Sequence, residues 1–291
     1  MAIAAPDIFL DIHLVRRLVR SQHPDLGERE LRLVANGWDN DLYRLGDDLV
    51  VRLPRRKVAV PLIANEQRWL PSIAERVSVA VPTPVRVGVA SDEFPWPWTI
   101  TPWFEGTIAS KLSVEAHDSL ASDLAGFVRQ LHTPAPADAP ANPFRGVPLA
   151  EREIAFRDRL ASGLVPRIDE VERAWQYALG AEPWSGPPVW LHGDLHPANI
   201  LTRDGRLAAV LDFGDLTSGD PATDLATAWL TLDRDGRAEF RASLDYYDRD
   251  TWQRATGWAL LLAGAFLANS HDSPAMLEIG LFGVQQVLQT P

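Results

Sequence analysis

Asp194 and Asn199 stand five positions apart in Leu191-His192-Gly193-Asp194-Leu195-His196-Pro197-Ala198-Asn199-Ile200-Leu201, and Asp212 follows thirteen further on in Val210-Leu211-Asp212-Phe213-Gly214. This spacing suits a catalytic loop and a metal-binding loop joined by a short hairpin. Phosphoryl transfer needs those parts. One carboxylate receives the proton of an acceptor hydroxyl, while an amide oxygen and a second carboxylate hold magnesium against the phosphates of a nucleotide.

The elements that must position these residues are legible as two regions. Up to about residue 101 the pattern is mixed. Ile8 to Val19 has helical spacing with Asp7 as its N-cap. Leu31–Val34, Leu42–Leu45 and Leu49–Leu53 read as strands, the last two a hairpin through Gly46-Asp47-Asp48. Ala59 to Glu75 reads as a helix, with Pro61 in its first turn and Pro71 kinking or ending it. Val85–Val89 and Trp96–Thr101 complete a sheet. After Gly106 the chain turns helical: Ser113–Leu131, a proline-rich connection from Pro134 to Pro148, Leu149–Leu160 and Val165–Leu179 precede the motif-bearing strands. From Ala222 onward helix resumes.

The ordered motifs resemble the aminoglycoside phosphotransferase family, antibiotic and small-molecule kinases that share the protein-kinase fold. That family writes His-Gly-Asp with an Asn five residues after the Asp, then Ile/Leu-Asp-[Phe/Trp]-[Gly/Glu]; Asp220-Pro221-Ala222-Thr223-Asp224-Leu225-Ala226 is similar to its Asp-Pro-x-x-Asp-Leu-Ala segment. A lone Asp-Phe-Gly means little, but three ordered motifs are a strong signal. The resemblance implies an α+β, two-lobed, protein-kinase-like fold. Residues 1–101 would form a small antiparallel-sheet N-terminal lobe, 102–106 a hinge, and 107–291 a larger, mainly helical C-terminal lobe, with a cleft at the join.

It also implies roles. Asp194 would be the catalytic carboxylate, and Asn199 and Asp212 the ligands of Mg2+, a hard cation that prefers oxygen donors and keeps several waters. His192 would pack beneath the catalytic loop, and Asp224 would buttress it. Asp215 reads equally as a metal-facing carboxylate or a surface turn. The family's phosphate-binding lysine falls at Arg52, with Glu66 on the next helix as its partner; lysine occurs in this chain only at Lys57 and Lys111. An arginine keeps the charge but presents a planar fork, so the exchange is not neutral. The phosphate-covering loop would be Ala35–Asp41, which holds one glycine. There Asn36, Gly37 and Asn40 tolerate the unusual dihedrals that turn N–H groups toward phosphate; an ordinary hairpin turn is the competing view. In Thr101-Pro102-Trp103-Phe104-Glu105-Gly106, the carbonyl of Pro102 and the N–H of Phe104 would face the nucleotide base, although Trp96, Trp98, Trp103 and Phe104 also suit a core.

The expected activity is transfer of the terminal phosphoryl group of ATP or GTP to a hydroxyl of a small molecule. An aminoglycoside leads, since nine carboxylates to four arginines between Asp215 and Asp250 would suit a cationic acceptor. A macrolide, homoserine, choline or a sugar fits nearly as well, and a nucleotide-binding pseudokinase is the alternative from another class. The net charge of −11 argues against a nucleic-acid partner. The start carries no signal-peptide pattern, and the apolar run Trp258–Ala268 is too short to span a bilayer, so the expectation is a soluble, cytoplasmic protein with no membrane partner. Without cysteine there is neither a disulfide nor a thiolate metal site. Nothing in the sequence sets the oligomeric state.

Overall fold

The computed structural model describes residues 5–270 and 273–289; residues 1–4, 271, 272, 290 and 291, which the sequence assigns to the two lobes, lie outside the described residues. Chain contacts divide it into two units, one running to Arg76 and resuming over Ala80–Glu105, the other formed by Val77–Val79 and the chain from Gly106 onward.

The first unit is an antiparallel sheet with two helices. Strands β1 (Leu31–Asn36), β2 (Asn40–Leu45), β3 (Leu49–Pro54), β4 (Arg86–Gly88) and β5 (Trp98–Pro102) order as β1-β2-β3-β5-β4. Apolar alternation puts Leu31, Tyr43, Leu45, Val51, Leu53 and Ile100 into one core with Val15, Leu18 and Val19 of helix α1 (Ile12–Gln22). The helix expected over Ile8–Val19 therefore starts later. Its cap is Asp11, whose carboxylate accepts from Leu14 N at 2.7 Å, whereas Asp7 and Ile8 donate their N–H groups to the Arg55 carbonyl and Asp7 accepts from Lys57 N. Those bonds tie the segment to the end of β3 and leave no helical ladder there. Helix α2 (Val60–Ala74) follows, with Pro61 in its first turn, where a missing N–H costs nothing; it continues through Pro71.

The second unit is mainly helical, and the fold is α+β. A single helix over Ser113–Leu131 was expected; the chain instead makes α3 (Val114–Asp118) and α4 (Ala121–Leu131). Buried His117 forces the break, its two ring nitrogens being held by the carbonyls of Thr231 and Ala109 at 3.0 and 2.7 Å. Then come α5 (Glu153–Ala161), α6 (Ile168–Leu179), and short strands β6 (Thr107–Ile108), β7 (Val189–Leu191), β8 (Ile200–Arg203), β9 (Arg206–Val210) and β10 (Thr217–Gly219). Strands β8 and β9 form the hairpin between the two motif loops. Asp204 and Gly205 at its tip both have positive φ, 54° and 73°, the backbone that matches strand twist in a two-residue turn. Helices α7 (Ala222–Leu225), α8 (Thr227–Leu230), α9 (Arg234–Ser243), α10 (Arg249–Asn269) and α11 (Pro274–Leu288) complete the unit. The apolar run of α10 is buried in it, and among the described residues no helix is long and apolar enough to cross a membrane.

Candidate active site

The loop between β7 and β8 carries Asp194 and Asn199, and the turn after β9 carries Asp212. Gly193 has φ +84°, and a Cβ there would lie 2.4 Å from the Asp215 carbonyl oxygen, so only glycine admits this approach. Leu211 N donates to the Asn199 carbonyl at 2.8 Å and joins the two loops. Asn199 Nδ2 donates to the Asp194 carbonyl at 2.9 Å. A carbonyl can only accept, so the amide nitrogen must face Asp194 and the amide oxygen must point away from it. Asp212 holds φ +57°, a left-handed conformation rare for a residue with a side chain, and its carboxylate accepts from Gly214 N at 3.3 Å.

Asp194 is a quarter exposed, so a solute can reach its carboxylate. His196 Nδ1 accepts from Ala198 N, which leaves Nε2 to donate to Asp194 Oδ2 at 3.2 Å. Burial pushes the Asp194 carboxyl up, but the hydrogen bond from His196 and the Arg145 guanidinium outweigh it and hold the group well below the usual carboxylate range.

Two residues fix the loop from beneath. His192 Nδ1 accepts from Asp194 N at 3.2 Å and Nε2 donates to the Leu211 carbonyl at 2.8 Å, so the ring links the loops as a neutral tautomer. Asp224, fully buried, accepts from His192 N at 2.7 Å, Gly193 N at 2.8 Å and His132 Nε2 at 3.2 Å. Burial raises the Asp224 carboxyl, yet the His132 bond and charge prevail and hold it below its ordinary value.

Arg145, Asn142 and His132 escaped the sequence reading. Arg145 Nε donates to the Gly193 carbonyl at 2.6 Å, and Nη2 lies 3.4 Å from Asp194 Oδ1 and 3.2 Å from Asp215 Oδ2. Asn142 Nδ2 donates to Asp215 Oδ1 at 2.8 Å. Asp215 thus faces the site rather than a surface turn. Burial lifts its carboxyl, and the Asp194 and Asp212 charges add to this against Arg145 and Asn142. The available signal was Asn142-Pro143-Phe144-Arg145-Gly146, a polar pair inside the proline-rich connection.

Part of the acidic run between Asp215 and Asp250 is taken up within the fold, while Asp235, Glu239 and Asp245 are exposed. Asp233 and Asp248 cap α9 and α10, Asp220 is buried against Arg254 at 2.7 Å, and Asp224 is spent on the catalytic loop.

In the first unit, the Arg52 guanidinium makes two hydrogen bonds to the Glu66 carboxylate, the second at 3.2 Å, and both side chains are buried. The Asn36–Asn40 loop departs from expectation: none of Asn36, Gly37 and Asn40 has positive φ. Gly37 N donates to the Asn40 carbonyl at 2.8 Å, the Asn36 amide bonds Asp41, and a Cβ on Gly37 would meet the Asn40 oxygen at 2.8 Å. A closed turn bound to itself needs no left-handed backbone. Pro102 ends β5 opposite Leu49. Ile100 O bonds Val85 N and Trp103 N bonds Asp48 O, so by strand alternation the Pro102 carbonyl points to the side where β4 has already ended. Phe104 lies two residues on, half-buried, and Trp98 is a fully buried core residue.

The family model described as the phosphotransferase enzyme family matches residues 30–258. The chain belongs to this family, whose structural neighbours are small-molecule kinases of kinase-like fold. It is 24% identical over 261 residues to the uncharacterized protein YcbJ of Bacillus subtilis (strain 168), covering 80% of this chain and 79% of that one. Macrolide 2'-phosphotransferase MphH from Brachybacterium faecium is 25% identical with a TM-score of 0.61, over 97% of this chain and 98% of that one. The GDP and kanamycin complex of the aminoglycoside phosphotransferase APH(2")-IIIa aligns with a TM-score of 0.71 at 20% identity, over 95% and 98% of the two chains.

Proposed function

We propose that the protein transfers the terminal phosphoryl group of ATP or GTP to a hydroxyl of a small molecule, with Asp194 accepting a hydrogen bond from that hydroxyl and taking up its proton. The observation that carries this reading is the pinned Asn199 amide: its nitrogen is committed to Asp194, which leaves its oxygen free as a donor, and the bond from Leu211 N to the Asn199 main-chain carbonyl ties this loop to the one that carries the Asp212 carboxylate. Among the described residues no cluster of three His, Cys, Asp or Glu side chains could hold a metal by protein ligands alone. Mg2+ suits such a site, because it retains waters and takes its remaining oxygens from nucleotide phosphates. When bound it would neutralise charge on the transferred group.

His192 and Asp224 act in this reading as supports that fix where Asp194 points. Arg52, oriented by Glu66, takes the part of the phosphate-facing cation, since a guanidinium fork can serve a carboxylate and phosphate oxygens together. The Pro102 carbonyl and the Phe104 N–H would meet the base edge, and the Asn36-Gly37 turn with Asn40 would cover the phosphates.

The test is direct. Purified protein with magnesium and ATP or GTP is offered hydroxylated compounds, beginning with the aminoglycoside and macrolide classes that its neighbours' names carry, and nucleoside diphosphate release is followed. Acceptor-dependent release that disappears in Asp194→Ala supports the reading. Release that persists unchanged in that variant refutes it.

A further inference from the structure

The two carboxylate oxygens of Asp194 are unequally occupied. Each such oxygen has two lone pairs to offer. Oδ2 accepts from His196 Nε2 at 3.2 Å and from Asn199 Nδ2 at 3.4 Å, which fills both. Among the described residues Oδ1 has one partner, Arg145 Nη2 at 3.4 Å, and so keeps one place open. A hydroxyl that reaches this carboxylate therefore lands on Oδ1, beside Arg145.

The next acceptor on that side is Asp215. The same Nη2 lies 3.2 Å from Asp215 Oδ2, and Asp215 Oδ1 takes Asn142 Nδ2 at 2.8 Å, so each of these oxygens also keeps one place open. The Asp215 side chain is 28% exposed, as open to a solute as Asp194. Its placement is built into the fold. Asn142 and Arg145 come from a segment strapped across β10 and α7: buried Thr217 Oγ1 accepts from Asn142 N and donates to the Pro140 carbonyl, both at 3.0 Å, and Thr223 Oγ1 accepts from Gly146 N at 3.1 Å. Arg145 Nε is spent on the Gly193 carbonyl, so a turn of the guanidinium would cost the catalytic loop its own support. One guanidinium thus faces two carboxylates. Negative charge is in excess, and the open places attract hydrogen-bond donors and repel an anion.

We propose that Asp215 reads the acceptor beside the reacting hydroxyl: Asp194 Oδ1 receives that hydroxyl, and Asp215 receives a second donor, a hydroxyl or an ammonium group, on a neighbouring carbon of the same molecule. Both receiving residues bond one nitrogen, which brings them close enough for donors on adjacent carbons. The proposal rests on the phosphotransferase reading and narrows its acceptor to diols and amino alcohols, against isolated hydroxyls and hydroxy acids.

The experiment supplies the protein, magnesium and ATP or GTP with cyclohexanol and with its three derivatives that carry a second hydroxyl, an amino group or a carboxylate on the adjacent carbon, trans to the hydroxyl. Acceptor-dependent nucleoside diphosphate release gives kcat/KM for each, and the first two derivatives separate a neutral donor from a cationic one. At least one of those two should exceed cyclohexanol by about tenfold, the worth of one added hydrogen bond to a charged group, and the hydroxy acid should be poorest. In Asp215→Asn the advantage should shrink to about twofold or less. The readout is a ratio between probes in one sample, which a general loss of fold or rate does not imitate. Cyclohexanol as good as both donor-bearing probes, a hydroxy acid better than either, or an advantage kept in Asp215→Asn would overturn the proposal. So would a magnesium requirement for ADP binding raised in Asp215→Asn as far as in Asp212→Ala, since Asp215 would then be a metal ligand. Turnover of other hydroxylated compounds with no response to the diol or the amino alcohol overturns it as well. No release with any hydroxylated compound would instead remove the phosphotransferase reading, and the proposal with it.

Discussion

Replacing Asp224 by asparagine keeps the shape of a buried side chain and removes its charge. The carboxylate serves three donors, with Oδ2 taking His192 N and His132 Nε2 and Oδ1 taking Gly193 N. An amide has one acceptor oxygen, so in either orientation its NH2 group faces a donor. Hydrogen bonds to a buried charge are worth about 1.5–3 kcal/mol each, and a donor left unsatisfied adds its own penalty, which puts the loss at about 3 kcal/mol. At about 2.1 cal/mol/K of unfolding entropy per residue, that corresponds to a melting temperature lower by roughly 5 °C. Because the donors are the backbone of His192 and Gly193, Asp194 shifts with them. A misplacement on the order of 1 Å can cost about a hundredfold in turnover, so kcat should fall far more than nucleotide affinity does. The pH dependence supplies a check. Asp224 has a folded-state pKa below its ordinary 3.8, so its stabilisation is complete above that value and is lost as the pH falls through the lower folded one. The melting difference between Asp224→Asn and wild type should therefore be constant near neutrality and shrink in strong acid. Equal melting temperatures with normal turnover would refute the argument.

Asp194→Ala should cut turnover by about a hundredfold or more with nucleotide affinity nearly unchanged, as nucleotide titration alongside the rate assay would reveal. Asn199→Ala and Asp212→Ala should each raise the magnesium concentration required for nucleotide binding, the latter more, since it removes a full charge; an unchanged magnesium titration in both would sink the metal assignment. Arg52→Ala should lose affinity and rate together, Glu66→Ala somewhat less, and Arg52→Lys should keep substantial activity. Normal kinetics in Arg52→Ala would show that the buried pair serves the fold alone.

The order of the sheet-rich and helical regions, the hairpin between the motif loops and the buried apolar helix could all be read from the sequence, because apolar periodicity and turn residues are local signals. Where the expectation missed, a distant partner decided the outcome. Asp7 fails to cap α1 because the end of β3 claims it, and the single helix over Ser113–Leu131 breaks because the carbonyls of Ala109 and Thr231 pin His117. Asp194, Asn199 and Asp212 announce themselves through spacing within one short segment. Arg145 does not: it lies forty-nine residues from the aspartate it touches, in a connection with no periodicity at all. In the acidic run, a count of carboxylates does not tell which ones cap helices, as Asp233 and Asp248 do, or face a buried arginine, as Asp220 does.

Arg145 also changes how the proposed chemistry should be viewed. It lies between two carboxylates and shifts neither alone: Asp194 is held down once its partners outweigh burial, whereas Asp215 is driven up by burial and by the charges of Asp194 and Asp212. Carboxylates driven apart in this way can take different parts in one reaction. At neutral pH an acid as strong as Asp194 is a poor proton sink, which would be a defect if the hydroxyl had to be deprotonated before attack. Phosphoryl transfer through a loose transition state makes no such demand, because the proton can leave late and orientation matters most. In the proposed reaction Asp194 would then serve chiefly as an ionised acceptor that aims the hydroxyl. Its depressed pKa keeps it ionised well into acid, so any loss of activity just below neutrality must come from another group. Asp215, whose carboxyl burial raises and which is partly exposed beside the shared arginine, is the candidate the geometry offers.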